Sequence, residues 1–322
     1  MSNADVLACR QILRQGSRSF HAASLLLPRR VGDAASALYA FCRVADNAVD
    51  DPIGAGPVVS GLVDRLGAIY SDDGLDSPVD RAFRDVVRSH EIPREVPETL
   101  LEGLLWDETG RTYSDLPELY DYGVRVGSTV GVMMTLVMGR RDARTLTAAS
   151  ELGLAMQLTN IARDVGEDAR RGRIYLPVDR LQSSGIDPGI WLTEPMFESG
   201  IGDTVAWLLD DADRLYARSW RGISRLPVSS RPAIRAAALM YAEIGNEIRR
   251  AGCDSVSGRA WTTRMTKLRF LARAGISARS PAGAFPGARP AAGNPNSDPA
   301  RQAVAGLVAA AASDGTAEPI SS

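Results

Sequence analysis

Two stretches of this sequence carry acidic and amide side chains at helical spacing. In the first, Leu38 to Asp50, the residues Tyr39, Arg43, Asp46 and Asp50 are four, three and four apart, which puts them on one face of a helix. In the second, Gln157 to Asp168, the residues Gln157, Asn160, Asp164 and Asp168 are three, four and four apart. The other faces are largely apolar: Leu38, Phe41, Val44, Ala45 and Val49 in one, Leu154, Leu158 and Ile161 in the other. This inverts the usual surface helix, in which a broad polar face meets water. A narrow acidic stripe on a mostly apolar helix must pair with cations or line a cavity.

Two aspartates one turn apart repel each other, and a divalent cation between them removes the repulsion. The choice of cation is narrow. His21 and His90 are the only histidines, and Cys9, Cys42 and Cys253 are far apart, with no C-x-x-C and no H-E-x-x-H. Oxygen ligands therefore remain, which points to magnesium or manganese held by carboxylates together with substrate phosphates. The spacing alone is a weak signal that favours a solvated helix face. It recurs at Asp72, Asp76 and Asp80, in a Gly/Pro-broken stretch that reads as loop. The duplication, the apolar surroundings and the flanking Arg43, Asn160 and Arg163 favour a metal–diphosphate site.

Three further groups suit the rest of such a substrate. Gly16-Ser17-Arg18-Ser19-Phe20 offers two hydroxyls and a guanidinium within four residues, a compact phosphate-binding set; taken by itself, ordinary helix capping explains it better. Arg170-Arg171-Gly172-Arg173 follows the second acidic stripe, with Arg173 one turn beyond Asp168. Gly123, Gly127 and Gly131, four apart, give a helix face that another helix or a ligand can approach closely. That face is either a tight helix contact or one wall of a hydrocarbon tunnel with Tyr122 near its mouth, Ala237 to Tyr241 supplying another wall.

The elements that position these groups are helical. From Asp5 to about Arg273 apolar residues recur at three and four, and strand alternation is nearly absent. Breakers divide this stretch into some eight to ten helices of one all-α domain. Asp33 reads as the cap of a helix starting at Ala34, and Pro97 as a first-turn residue. The segment 277–322 differs: it holds six of the 18 prolines, much Ala, Gly and Ser, and six charged residues. Such a composition predicts an Ala/Gly/Pro-rich tail without packed structure, apart from a short helix over Ala300 to Ala312. The domain proper is thus 1–276.

Basic and acidic residues nearly cancel, 37 against 39, which argues against nucleic acid as a partner. All the basic residues except Lys267 are arginine. No run approaches the ~18 apolar residues of a membrane span, and Met1 to Arg10 lacks the form of a signal peptide. The sequence therefore predicts a cytoplasmic protein.

Together these residues resemble the squalene/phytoene synthase family of head-to-head prenyl transferases. The resemblance runs from Ser17 to about Arg250 and is most specific in Asn160-Ile-Ala-Arg-Asp-Val-Gly-Glu-Asp168 with Arg173-Ile-Tyr-Leu-Pro177. Tyr39 to Asp50 matches the first aspartate-rich signature, with Asn47 where many relatives carry an acid. Ser17 to Phe20 is similar to the N-terminal diphosphate element, Tyr122 to Gly131 to the small-residue helix, and Tyr241 falls at a pocket position. The N-terminal wording looks most like bacterial phytoene synthases.

The resemblance implies an isoprenoid synthase-type helical bundle with a central cavity that takes two geranylgeranyl diphosphates. It implies magnesium on Asp46, Asp50, Asp164 and Asp168, with Asn160 as a further ligand and Tyr122 beside the reacting groups. Ser17, Arg18, Ser19, Phe20, Tyr39, Arg43, Gln157, Asn160, Arg163, Arg173 and Tyr241 would bind substrate. A phytoene product needs no nicotinamide; a squalene or dehydrosqualene synthase acting on C15 substrate is the alternative within the family. An all-α magnesium-dependent nucleotide pyrophosphohydrolase is the alternative outside it. Lipophilic substrate and product imply peripheral contact with the inner face of the cell membrane, and with downstream carotenoid enzymes.

Overall fold

The computed structural model describes residues 1–50, 58–71, 74–261, 266, 270–271, 285 and 298–312. Among these residues the chain forms helices and no strands. The order is α1 (Asn3–Gly16), α2 (Arg18–Ser24), α3 (Arg29–Asp50), α4 (Val58–Ser71), α5 (Pro78–Ser89), α6 (Glu95–Glu108) and α7 (Leu116–Gly123). A π-helical turn (Val124–Ser128) leads into α8 (Thr129–Val137), then α9 (Ala143–Arg170), α10 (Val178–Ser183), α11 (Pro188–Thr193) and α12 (Ser199–Trp220). A 3-10 turn (Arg221–Arg225), α13 (Arg231–Arg250) and α14 (Pro299–Ala312) complete the bundle. The expectation of eight to ten helices is too low because α2, α10 and α11 are only six or seven residues long. Such pieces are too short to repeat an apolar face.

Local chemistry sets several boundaries. Ser17 caps α2 by accepting from the Phe20 amide at 3.2 Å, and Asp142 caps α9 by accepting from Thr145 at 3.0 Å. Asp33 is not a cap: α3 begins at Arg29, and Asp33 lies within it, paired with Arg10. Asp80 is not loop either. It stands in the first turn of α5, where Arg65 grips it.

Helix α9 is 28 residues long, about 42 Å at 1.5 Å per residue, and forms the axis of the bundle. It is buried among α12, α13, α8 and the π turn. The π turn crosses it at backbone contact. A Cβ on Gly127 would lie 2.7 Å from the Gly153 carbonyl oxygen, and one on Gly153 would lie 2.4 Å from the Gly127 oxygen. Ser128 fastens the crossing by donating to the Ser150 carbonyl at 2.7 Å.

Two apolar cores result. One gathers α9, α12 and α13 around Leu158, Leu208, Tyr216 and Met240. The other gathers α1, α3, α5, α6 and α8 around Phe41, Phe83, Leu101 and Met133. The segment 277–322 is not uniformly a tail: its short helix forms, and it packs. Ala300 joins the first core, whereas Val304, Leu307, Val308 and Ala311 join the second. Asp298 pairs with Arg218, which also lies 3.3 Å from the buried Glu151. The apolar face of α14 outweighs a composition that predicts no packing. The remainder of that segment lies outside the described residues apart from Phe285, which is buried against Trp220 and Tyr216.

The helix crossing supplies the first test. Gly153→Ala drives a methyl into the Gly127 carbonyl, an overpacking that costs about 1–3 kcal/mol. The expected result is a melting temperature lower by about 2–4 °C per kcal/mol. An unchanged melting temperature would show that the crossing yields without cost.

Candidate active site

Helices α3 and α9 bring both acidic stripes to one end of the bundle. Arg173 joins them: it donates to Asp50 at 2.6 Å, and its charge also acts on Asp46, Asp168 and Asp107. Arg171 grips the other oxygen of Asp50 at 2.6 Å and reaches Glu167 at 3.7 Å. Both arginines are aimed back by the end of α9, a Schellman turn. Gly172 adopts φ +75°, and the Arg173 amide donates to the Asp168 carbonyl at 2.9 Å. Arg163 holds Asp164 with two bonds of 2.6 and 2.7 Å. Arg43 holds Asp46 at 2.7 Å.

Asp168 is different. Among the described residues its carboxylate takes no ion pair or hydrogen bond. Burial, reinforced by the charges of Asp164 and Glu167, pushes it up to about 8. Burial and Asp50 likewise raise Asp46. The Asn160 side-chain carbonyl is buried with no hydrogen-bond partner, while its amide donates to Gln157 at 3.3 Å. No three histidine, cysteine or carboxylate side chains among the described residues converge on one metal position. An unpartnered half-buried carboxylate and an orphaned amide oxygen do fit a hard cation that completes its shell with substrate oxygens.

Asp107, on α6, escapes a reading by spacing because it is a single acid without a repeat. It accepts from Tyr122 at 3.0 Å and from Tyr175 at 2.7 Å. Burial pushes it up to about 6 against the lowering effect of those two phenols. Tyr113, Tyr122 and Tyr175 pack ring on ring at 5.1–6.0 Å around it. Tyr122 therefore belongs to this cluster at the acidic end, from which the cavity starts, and is not one of the residues that line the cavity walls. The neighbouring Tyr120 turns away and donates to Asp211.

Arg259 also went unforeseen. It contacts Asp164 at 2.8 Å and Glu167 at 3.0 Å. Its signal is tertiary. Gly166 lets the segment around Val256 approach α9, its amide donating to the Ser255 carbonyl at 2.9 Å.

From the acidic end a cavity of about 260 Å³ runs back between α3, α8, α9 and α13. Gln157, Asn160, Tyr39 and Phe20 stand at its polar end, and Gly127, Gly131, Met134, Leu152 and Ala237 form its walls. Phe20 stacks on Tyr241 at 5.0 Å and meets Tyr39 edge-on at 6.2 Å. Burial raises the Tyr241 hydroxyl above its ordinary value, while Arg163 and the nearby Ser17 oppose the shift. Ser19 is buried. Arg18 is exposed and forms no side-chain ion pair among the described residues. Of the glycine face, Gly127 and Gly131 serve both expected uses, helix contact and cavity wall, whereas Gly123 packs on Leu154.

The geometry is thus a helical bundle with an apolar cavity and paired aspartate stripes at one end. Residues 13–269 match the family model described as squalene/phytoene synthase. The chain is 49% identical over 288 residues to a phytoene synthase of Cereibacter sphaeroides, covering 86% of this chain and 80% of that one. It is 38% identical over 275 residues to a 15-cis-phytoene synthase of a Paracoccus species, covering 83% and 89%. Its fold resembles a dehydrosqualene synthase crystallised with a ligand, with a TM-score of 0.77 at 28% identity, covering 86% of this chain and 97% of that one. A squalene synthase from Alicyclobacillus acidocaldarius, at 24% identity and a TM-score of 0.69, covers 77% and 94% and shares the fold. The chain belongs to the squalene/phytoene synthase family.

Asp168 supplies a test. Its folded value of about 8 exceeds the ordinary 3.8, so the folded chain holds a proton that the unfolded chain releases between about pH 4 and 8. Stability falls as pH rises through that window. In chelator, Asp168→Asn should therefore gain melting temperature over the parent as pH goes from about 5 to about 8. An equal difference at both pH values would place the penalty elsewhere.

Proposed function

We propose that this chain is the phytoene synthase of a carotenoid pathway, joining two geranylgeranyl diphosphates head to head through prephytoene diphosphate, with release of diphosphate. The observation that carries the reading is the continuity of an acidic, arginine-rich end with an apolar cavity along α3 and α9. The relatives named above as phytoene synthases support C20 substrate over the C15 alternative, and the family assignment displaces the nucleotide pyrophosphohydrolase reading.

Magnesium, or manganese, is the cation proposed for Asp46, Asp50, Asn160, Asp164 and Asp168; it would neutralise the leaving diphosphate as a Lewis acid. The chain's own residues do the rest. Arg43, Arg163 and Arg173, with Ser17 and Ser19, are proposed to donate to diphosphate oxygens. Arg18 is proposed only as a surface contact for the same group. Phe20, Tyr39, Gln157 and Tyr241 flank the first carbons of the chain, and the apolar walls keep water from the allylic cation. Burial holds the phenolic proton on Tyr122 well above the ordinary tyrosine range, so Tyr122 faces the reaction as a neutral hydroxyl oriented by Asp107. No nicotinamide is required by this product.

No helix among the described residues is long and apolar enough to cross a membrane. We place the enzyme peripherally at the inner face of the cell membrane, where the downstream carotenoid enzymes would receive its product.

Incubation with C15 and with C20 diphosphates plus magnesium, followed by mass analysis of the hydrocarbon, tests the reading. The expected product is a C40 hydrocarbon from the C20 substrate. Asp164→Asn should lose turnover by at least about 100-fold with an unchanged circular dichroism spectrum. Consumption of neither substrate would overturn the assignment, and a C30 product would establish the alternative.

A further inference from the structure

The cavity has a second end. Thr145 lines it nineteen residues before Asp164 on α9, about 28 Å along the helix. Leu27, Leu226 and Ile234 form the wall there. Their chain neighbours Leu25 and Val228 are 71% and 48% exposed, unlike most large apolar side chains of this protein.

Six exposed arginines stand on the segments that form this end. Arg29 and Arg30 open α3, directly after the Leu27 loop. Arg140 and Arg144 flank the start of α9, and Arg221 and Arg225 bound the 3-10 turn that leads to Leu226. Arg225 and Arg140 both act on the Asp142 carboxylate, which places those two segments on one face. Asp142 itself is engaged in capping α9. Among the described residues none of the six makes a side-chain ion pair or hydrogen bond. At the acidic end, by contrast, Arg43, Arg163, Arg171, Arg173 and Arg259 are all paired.

Beyond the charges that Arg140 and Arg225 offer Asp142, the fold gains little from this arrangement. Cations in the first turn of a helix oppose its dipole, and Arg29, Arg30 and Arg144 all sit there. The chain uses arginine for every basic residue but Lys267, which accounts for their being arginine but not for their standing on the segments beside exposed Leu25 and Val228. A basic ring around an apolar rim matches an anionic bilayer, with phosphates for the guanidiniums and an acyl boundary for the two apolar side chains.

We propose that this end of the bundle is the surface on which the protein docks to anionic lipid, with Leu25 and Val228 inserted and the six arginines at the headgroups. The placement deepens the prenyl-synthase reading and rests on it for its purpose. A hydrocarbon product cannot pass the charged end without exposing its chain to water, whereas this end gives it an apolar route from Leu226 into the bilayer.

Co-sedimentation with vesicles of phosphatidylcholine, with and without phosphatidylglycerol, tests the surface. The protein should pellet with the anionic vesicles, less so as salt is raised, and remain in solution with phosphatidylcholine alone. Each arginine neutralised should weaken binding about fivefold, so Arg29→Gln/Arg30→Gln/Arg225→Gln should weaken it about 100-fold. Leu25→Ser/Val228→Ser should weaken it about tenfold. Equal pelleting of the triple variant, equal binding to both vesicle types, or self-association in place of vesicle binding would overturn the proposal. Turnover of detergent-dispersed substrate without vesicles is measured alongside and should match the parent in both variants. Its absence in the parent would overturn the enzymatic reading, while the vesicle result stands or falls by itself.

Discussion

Everything at the acidic end answers one constraint: carboxylates on two largely buried helices must face each other without an unpaired charge being left dry. The chain meets it with arginine. Asp50 is neutralised by Arg171 and Arg173, Asp164 by Arg163 and Arg259, Asp46 by Arg43. Asp168 is left over, and its raised affinity for a proton is the cost. The sequence around α9 follows from this need. Gly172 turns two arginines back on Asp50, and Gly166 admits the strand of chain that carries Arg259.

The same two helices make the cavity. Towards their N-termini the polar stripe gives way to Ala35, Leu38, Ala148 and Leu152, and the π turn brings Gly127 and Gly131 against α9 where larger residues would fill the space. Charge and grease are thus segregated along the length of one helix pair. A diphosphate with a long apolar chain is complementary to that gradient; a compact polar substrate is not.

Helical class, both acidic stripes and the glycine face were legible in the sequence, because each repeats with a period that a helix imposes. Asp107 and Arg259 were not. Asp107 is a single acid whose importance arises from two tyrosines, one on α7 and one beyond α9, that reach it only in the folded chain. Arg259 depends on a close approach to Gly166 that no local pattern announces. Tyr122 stood out in the sequence but its bond to Asp107 did not, because small residues four apart mark a close contact without saying what the phenol meets. The packed α14 was only half visible, since composition describes the 277–322 segment as a whole and one apolar stripe of a short helix decides its outcome.

That helix also constrains how the molecule is made. Its partners in both cores, from Leu101 to Leu158, precede it by a long stretch of chain, so they emerge from the ribosome well before Pro299. Until α14 arrives, the groove that receives Val304, Leu307 and Val308 stands open, Glu151 has Arg218 but not Arg301 beside it, and Arg218 lacks Asp298. The two cores, already joined where the π turn crosses α9, can form during synthesis, and α14 closes over both only afterwards. A nascent chain stalled short of α14 therefore presents an uncovered apolar seam to the chaperones and proteases of the cell.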